Sequence, residues 1–408
     1  MSSSTSTTLI PPHLADTAPA AAHAVFHLMK RLRHGTLSIQ LPDGSTLNFG
    51  STAETELRAS IRLRNWNACA AALRSGDVGF AESYIDGDWS TPDLPALLTL
   101  FIANRDDVEA MVYGTWWGSL LYRARHLLNR NSRRGSRKNI HAHYDLGNAF
   151  YCLWLDPTMN YSSAWFDGDR GGDLVQAQRA KVRRTLTECG VQPGQRVLEI
   201  GCGWGALAEA AAREFGAEVT GVTLSREQLA WGQQRLADAG LAGALRYQDY
   251  RDIDDGPFDA VVSIEMFEAV GREYWPGYFE TVRRQLKPGG KACIQSITIR
   301  DDLFERYLRS TDFIQQYIFP GGLLPSPAAF RAAAARAGLR VVAELDFGLD
   351  YAETLRRWRA RFLGAEAQVR QLGFDHRFMR IWEFYLGYCE AAFATGNTSV
   401  MQFTLQRD

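Results

Sequence analysis

The sequence predicts an α/β protein, a Rossmann-like parallel sheet covered by helices on both faces, with a small amino-terminal α+β domain before it. Three observations carry this. From residue 175 onward, segments of helical and of strand periodicity alternate. Within that region Val197-Leu-Glu-Ile-Gly-Cys-Gly-Trp-Gly205 passes from an apolar run with an acid into alternate glycines, then into the Ala-rich stretch 206–212. Such a turn joins a buried strand to a helix N-terminus whose N–H groups are unpaired. Before residue 110 the patterns are shorter and mixed.

Residues 1–24, rich in Ser, Thr, Ala and Pro, read as a disordered tail. A helix is expected over 25–34. Leu37, Ile39 and Leu41 then alternate with polar residues up to Pro42-Asp43-Gly44, and Leu47 and Phe49 resume beyond it, which is hairpin chemistry. Helix 66–75, the aromatic stretch Tyr84 to Trp89, and a helix from Leu94 to Ala103 entered by Pro92 and Pro95 complete a domain over 25–110. A connecting segment, 111–140, sets Trp116, Trp117, Leu120, Leu121, Leu127 and Leu128 among arginines. On a helix this suits a lipid interface or docking on the second domain.

The second domain, 141–408, should hold helix 175–189, strand 196–200, helix 204–215, strand 218–222, helix 225–239, strands 244–248 and 258–264, helix 273–286 and strand 291–299. Strands near 340–347 and 399–405 would finish the sheet. The insertion near 302–327, with Phe319-Pro-Gly-Gly-Leu-Leu-Pro-Ser-Pro327, is expected to cover the cleft as a lid.

Composition narrows the class. Lys and Arg (45) nearly balance Asp and Glu (46), so no overall charge points to nucleic acid or membrane. Arg123, Arg125, Arg130, Arg133, Arg134, Arg137 and Lys138 nevertheless cluster without an acid, as a solvated linker or as a patch for an anionic partner. The six cysteines show no C-x-x-C pair and no His/Cys cluster, which argues against structural zinc and a disulfide framework and fits a cytoplasmic protein. Neither a signal peptide nor an apolar run of membrane-spanning length is expected.

The glycine turn also satisfies G-x-G-x-x-A, so a dinucleotide is one reading. Two features favour S-adenosylmethionine (SAM). Glu199, two residues before Gly201, can meet a methionine amino group but would repel a pyrophosphate. The next strand, Glu218-Val-Thr-Gly-Val222, ends in Thr223-Leu-Ser225 without the acid that reads an NAD ribose. Ligands collect at the carboxyl ends of such strands, which groups the glycine turn with Thr223 to Gln228, Asp249-Tyr250, and Glu265 to Glu268.

Several ordered stretches then resemble one family over nearly the whole chain. They are His143-Tyr-Asp-Leu-Gly-Asn148, Leu155-Asp-Pro-Thr-Met-Asn-Tyr-Ser162, Glu199 to Gly205, Thr223-Leu-Ser225 with Gln228, Phe267-Glu268 with Gly271, and Phe319-Pro-Gly-Gly322. The chain resembles the cyclopropane-fatty-acyl-phospholipid synthases and the mycolic acid cyclopropane synthases, whose catalytic fold is a class I SAM-dependent methyltransferase sheet. The resemblance implies that Tyr161, Ser162, Glu199, Gly201, Cys202, Gly203, Trp204, Gly205, Thr223, Leu224, Gln228, Asp249 and Tyr250 enclose SAM. Thr223 and Gln228 can bond the ribose, Asp249 the adenine amino group, and Leu224 can pack on the ring; Asp249 can equally be a turn acid beside Arg251.

The implied activity moves a methylene unit from SAM onto the cis double bond of unsaturated phospholipid acyl chains. Methyl transfer to an alkene leaves a carbocation, so the pocket must be dry, aromatic and furnished with a base. In the family that base is bound bicarbonate. The resemblance places Ser163, Glu268, Gln295, Ile297 and Tyr351 around it, with Ser163 standing where the family has Cys and Gln295 where it has His. Glu268 is the leading catalytic candidate, Glu265 a second acid, and Cys389 matches a family cysteine although its helix reads as packing. Implied partners are an unsaturated acyl chain and a phospholipid membrane surface met peripherally by segment 113–139, not nucleic acid, with a homodimer left open. Release of a methyl- or methylene-branched chain without ring closure, and a catalytically silent lipid- or SAM-binding module, are the alternatives.

Overall fold

The computed structural model describes residues 18–50, 57–106, 108 and 146–408. Segment 113–139 and His143, Tyr144 and Asp145 lie outside the described residues, as does the tail up to 17. The chain forms two units, one from residues up to 128 with 307–318 and 373–395, the other from 129–306, 319–372 and 396–408.

In the first unit a helix runs Ala20–Met29, ahead of the expected residue 25, so the tail cannot extend to 24. Pro19 sits at its cap, and the alanines that follow are the strongest helix formers. The hairpin pairs β1 (Thr36–Gln40) with β2 (Thr46–Gly50), and Asp43 Oδ1 accepts from both Ser45 N (2.9 Å) and Ser45 Oγ (2.6 Å). With β3 (Arg58–Leu63), parallel to β1, and β4 (Trp89–Ser90), it makes a sheet of order β2-β1-β3-β4. The helix expected over 66–75 continues as Asn67–Ile85, broken at Gly76 (φ 60°, ψ −136°). Helix Leu94–Ala103 stands where expected, its N-terminal amide at Ala96 held by Asp93 Oδ1 at 3.0 Å.

Two later segments join this unit, although the sequence assigns them to the 141–408 domain. Helix His376–Ala394 is tied to the earlier elements by polar contacts: Tyr84 Oη donates to Glu383 Oε2 (2.7 Å) and Arg380 Nε to the Tyr84 carbonyl (2.6 Å). Helix Phe313–Tyr317 follows through Tyr317 Oη on Glu82 Oε1 at 2.5 Å. The expected lid segment 302–327 is therefore divided between the units at residue 318.

The second unit is a seven-stranded sheet of β5 (Arg196–Ile200), β6 (Glu218–Thr223), β7 (Ala244–Tyr247), β8 (Phe258–Ile264), β9 (Leu286–Ile299), β10 (Leu339–Asp346) and β11 (Thr398–Arg407), in the order β10-β11-β9-β8-β5-β6-β7. Strands β5 to β9 are mutually parallel, as the alternating pattern predicts. β11 departs from it by pairing antiparallel with both β9 and β10. Helix Leu174–Glu188 leads into β5, and helices Ala206–Phe215, Arg226–Asp238 and Trp275–Gln285 lie between successive parallel strands. Val197, Leu198 and Ile200 are all buried, because a central parallel strand is covered on both faces; each such side chain contributes ~1.5–3 kcal/mol. From β5 the chain winds outward to β6 and β7 and then returns to β8 on the other side. That reversal opens a crevice at the carboxyl ends of β5 and β8, where the glycine turn and Glu265 emerge.

Candidate active site

Glu199 is the only acid in β5, and it is buried. Its Oε2 has no hydrogen-bond partner among the described residues, and burial pushes its carboxyl well above the usual range. An acceptor left this way costs ~1–3 kcal/mol, which a charged amine would offset. The turn beyond it has Gly201, Gly203 and Gly205 at φ 85°, 48° and 80°. A Cβ on Gly203 would meet nothing within 4 Å, so the backbone is open there, whereas one on Gly205 would stand 3.0 Å from Gly232 Cα, where two helices cross. Buried Cys202 packs under β6, and Trp204 donates Nε1 to Asn148 Oδ1 at 2.7 Å. An orphaned buried carboxylate beside an open glycine backbone and a helix N-terminus fits the amino-acid end of SAM.

After β6, Ser225 caps the helix by accepting from Gln228 N, and Thr223 Oγ1 lies 3.2 Å from Gln228 Oε1. Thr223 and Gln228 are thus pre-positioned as a pair, with half-buried Leu224 between them. Asp249 is the turn acid: Oδ1 accepts from Arg251 N and Nε, and Oδ2 from Arg251 Nη2 at 2.6 Å. Any contact to an adenine amino group would share those oxygens. Tyr250 stacks edge-on against Tyr278 at 5.5 Å, and burial pushes its hydroxyl up to about 12.

An aromatic file leaves the glycine turn. Trp204 lies 5.1 Å from Tyr151, Tyr151 lies 5.5 Å from Tyr161, and Tyr161 lies 5.6 Å from Trp358. Trp358 stands 6.1 Å from Tyr351, and Phe319 reaches Tyr161 at 6.5 Å. The Phe319 loop is held by Leu323 N donating to the Glu268 carbonyl at 2.8 Å. Such faces suit an apolar chain and tolerate positive charge.

At the end of this file stands Glu265. Its Oε1 accepts from Ser163 N (2.8 Å) and Gln295 Nε2 (2.8 Å), and its Oε2 from Tyr351 Oη (2.7 Å). The Gln295 amide is oriented by a relay: Arg184 Nη1 donates to Gln402 Oε1 (2.5 Å), and Gln402 Nε2 donates to Gln295 Oε1 (3.0 Å). Tyr351 is held because Asp350 accepts from Phe166 N (2.7 Å) and pairs with Arg170, clasping helix Gly348–Gly364 to the loop after Ser163. Buried Lys181 adds a cation near both Glu265 and Glu199 and donates to Ser162 Oγ at 2.5 Å; burial lowers its ammonium to about 8. Glu265 itself has φ 48°, a left-handed conformation that costs a side-chain-bearing residue ~1–2 kcal/mol and that glycine adopts freely.

Glu268 lies in the next turn, Phe267–Ala269. Its Oε1 accepts from Ile297 N, while the buried Oε2 has no partner among the described residues. Burial, then the charge of Glu265, raises its carboxyl to about 8. Burial raises the Glu265 carboxyl too, but Lys181 and its three donors oppose that rise, so of the pair Glu265 is the better placed to carry the charge and Glu268 the proton. In folded protein the Glu268 proton stays on from its ordinary 4.5 to about 8, whereas the unfolded chain releases it, so this group lowers stability as pH rises through that window. Glu268→Gln should therefore gain stability over wild type as pH increases from 4.5 towards 8. Denaturant midpoints of both proteins that stay parallel across the window would contradict this.

Cys389 belongs to the other unit. It lies on helix His376–Ala394 of the first unit, whereas every other candidate belongs to the second, and burial pushes its thiol far up, away from thiolate chemistry. Sequence reasoning passed over Lys181 and Gln402 and ranked Glu265 second. The spacing Ala177, Gln178, Lys181, Val182, Thr185 does place Lys181 on a buried helix face, and Gln402 interrupts an apolar strand.

Residues 131–403 match the family model described as mycolic acid cyclopropane synthetase. The chain is 40% identical over 403 residues to a tuberculostearic acid methyltransferase of Mycobacterium tuberculosis, covering 96% of this chain and 92% of that one. It is 36% identical over 352 residues to the cyclopropane-fatty-acyl-phospholipid synthase of Escherichia coli K12, covering 86% and 88%. Among solved structures it is similar to the mycolic acid cyclopropane synthase CmaA1 complexed with SAH and CTAB, with a TM-score of 0.63, 33% identity, and coverage of 66% of this chain and 98% of that one.

Proposed function

Because the chain belongs to the mycolic acid cyclopropane synthetase family of SAM-dependent methyltransferases, we propose that it transfers the SAM methyl group to the cis double bond of unsaturated phospholipid acyl chains. The observation that carries this reading is the aromatic file running from the glycine turn to a buried, hydrogen-bonded carboxylate. SAM would rest its amino group on Glu199, its ribose on Thr223 and Gln228, and its adenine near Leu224, Asp249 and Tyr250. SAM supplies an electrophilic methyl group when bound. The protein would supply apolar aromatic faces that tolerate a cation, and a proton acceptor.

Likeness to the Escherichia coli synthase supports ring closure to a cyclopropane. Open, methyl- or methylene-branched chains form the second reading, favoured by the fuller match to the tuberculostearic acid methyltransferase. Both require loss of a single proton, and ring and methylene products share one mass. The test incubates purified protein with methyl-labelled SAM and vesicles of unsaturated anionic phospholipid, then analyses the lipids by fragmentation and proton NMR. Label within the acyl chain is expected, and a high-field ring proton signal separates ring from branch. Label on the headgroup, or none in the lipid, would refute the reading. Membrane contact through segment 113–139 belongs to the same proposal, and vesicle binding that ignores rising salt would remove it.

A further inference from the structure

The acceptor site contains an anion of its own. The resemblance implies bicarbonate held by the positions of Ser163, Glu268, Gln295, Ile297 and Tyr351. The donors at three of them are spent on Glu265: Ser163 N, Gln295 Nε2 and Tyr351 Oη all point to its carboxylate, at 2.7–2.8 Å. At the other two, Ile297 N donates to Glu268. The Ser163 hydroxyl offers nothing further, since it donates to the Ala164 carbonyl at 2.9 Å. A second anion would meet occupied donors and the repulsion of Glu265 at contact distance. Bicarbonate does not fit this site.

The backbone points the same way. Glu265 holds a φ of 48° directly after β8, where glycine would rest without strain. Its side chain is kept there against that cost, and the Arg184–Gln402–Gln295 relay fixes which face of the amide it meets.

We propose that the carboxylate of Glu265 takes the place of bicarbonate and removes the proton from the methylated acyl cation, so that the protein works without a bound anion. This rests on the alkene-methylating reading above. In the step, the sulfur–methyl bond breaks with its electron pair on sulfur, and the alkene π pair forms the new carbon–carbon bond. Oε2 of Glu265, which accepts only from Tyr351 among the described residues, then takes a proton from the transferred carbon. The freed C–H pair closes the ring or, after a neighbouring hydride shifts, forms a methylene group. Glu265 is left as the neutral acid and returns its proton to water before the next turnover.

The test uses the full chain in carbon-dioxide-depleted buffer with and without added bicarbonate, and follows labelled methyl transfer to unsaturated phospholipid vesicles. Wild type should run equally fast in both. Glu265→Gln should lose on the order of 10²- to 10⁴-fold in rate while binding SAM with unchanged affinity by calorimetry. Glu265→Gly, compatible with the backbone, should show the same loss, so that poor folding of one variant does not decide the matter. A wild-type rate that collapses without bicarbonate, or either variant at full rate, would overturn the proposal. Carbon-13 NMR of labelled bicarbonate reads the site independently of lipid turnover: no binding to wild type is expected, and stoichiometric binding would overturn the proposal. Wild type that binds no bicarbonate and labels no lipid would refute the alkene reading, and the deprotonation step with it, while the misfit of bicarbonate would stand.

Discussion

Glu199→Gln should weaken SAM binding roughly 10- to 100-fold, the equivalent of ~1.5–3 kcal/mol for a hydrogen bond to a charged group. The wild-type carboxylate is buried with an unpartnered oxygen, and burial raises its affinity for a proton more than nearby Lys181 lowers it. An ammonium group brought to that oxygen adds a countercharge at contact distance and opposes the rise, so SAM binding should be coupled to loss of the carboxyl proton. Glutamine keeps the shape and loses both effects. Titration calorimetry in buffers of different ionisation enthalpy reads affinity and proton release together. Unchanged affinity, with proton release retained, would show that Glu199 does not meet the amino group.

Gln295→Leu should lower the methyl-transfer rate roughly 10- to 100-fold and move the rising limb of its pH profile upward. The amide is a positioning group: it donates to Glu265 and accepts from Gln402. Leucine leaves Glu265 with two of its donors, Ser163 N and Tyr351 Oη. A bond to the charged form depresses a carboxyl, so losing it raises Glu265 further and demands a higher pH for ionisation. Gln402 keeps Thr185 Oγ1 as an acceptor at 3.0 Å, which limits the loss of stability to ~1–3 kcal/mol. A merely structural role would lower the rate without moving the profile.

Much of the second unit is legible in the sequence because its strands are buried on both faces. The predominantly apolar runs 196–200, broken by Arg196 and Glu199, and 258–264, broken by Asp259 and Ser263, coincide with β5 and β8. The glycine turn is legible for the same reason, since only one acid breaks the run before it. By contrast, the helix Gly348–Gly364 places Tyr351 through a clasp on residue 166, and no local pattern encodes that contact. The role of Glu265 is hidden likewise. Its donors come from positions 163, 295 and 351, and only the fold brings them to one carboxylate. Next to it, Phe267-Glu268 carries the motif and so draws attention to the neutral neighbour. Helix His376–Ala394 shows a further limit: its periodicity declares a buried face, but not which unit covers it.

Which of the two neighbouring carboxyls carries the charge decides the chemistry, and carbon-13 NMR of side-chain-labelled glutamate measures it directly. With Glu265→Gln and Glu268→Gln assigning the two signals, Glu265 should be ionised at neutral pH and Glu268 protonated, titrating at about 8. A neutral Glu265 beside an ionised Glu268 would contradict the assignment of the proton acceptor.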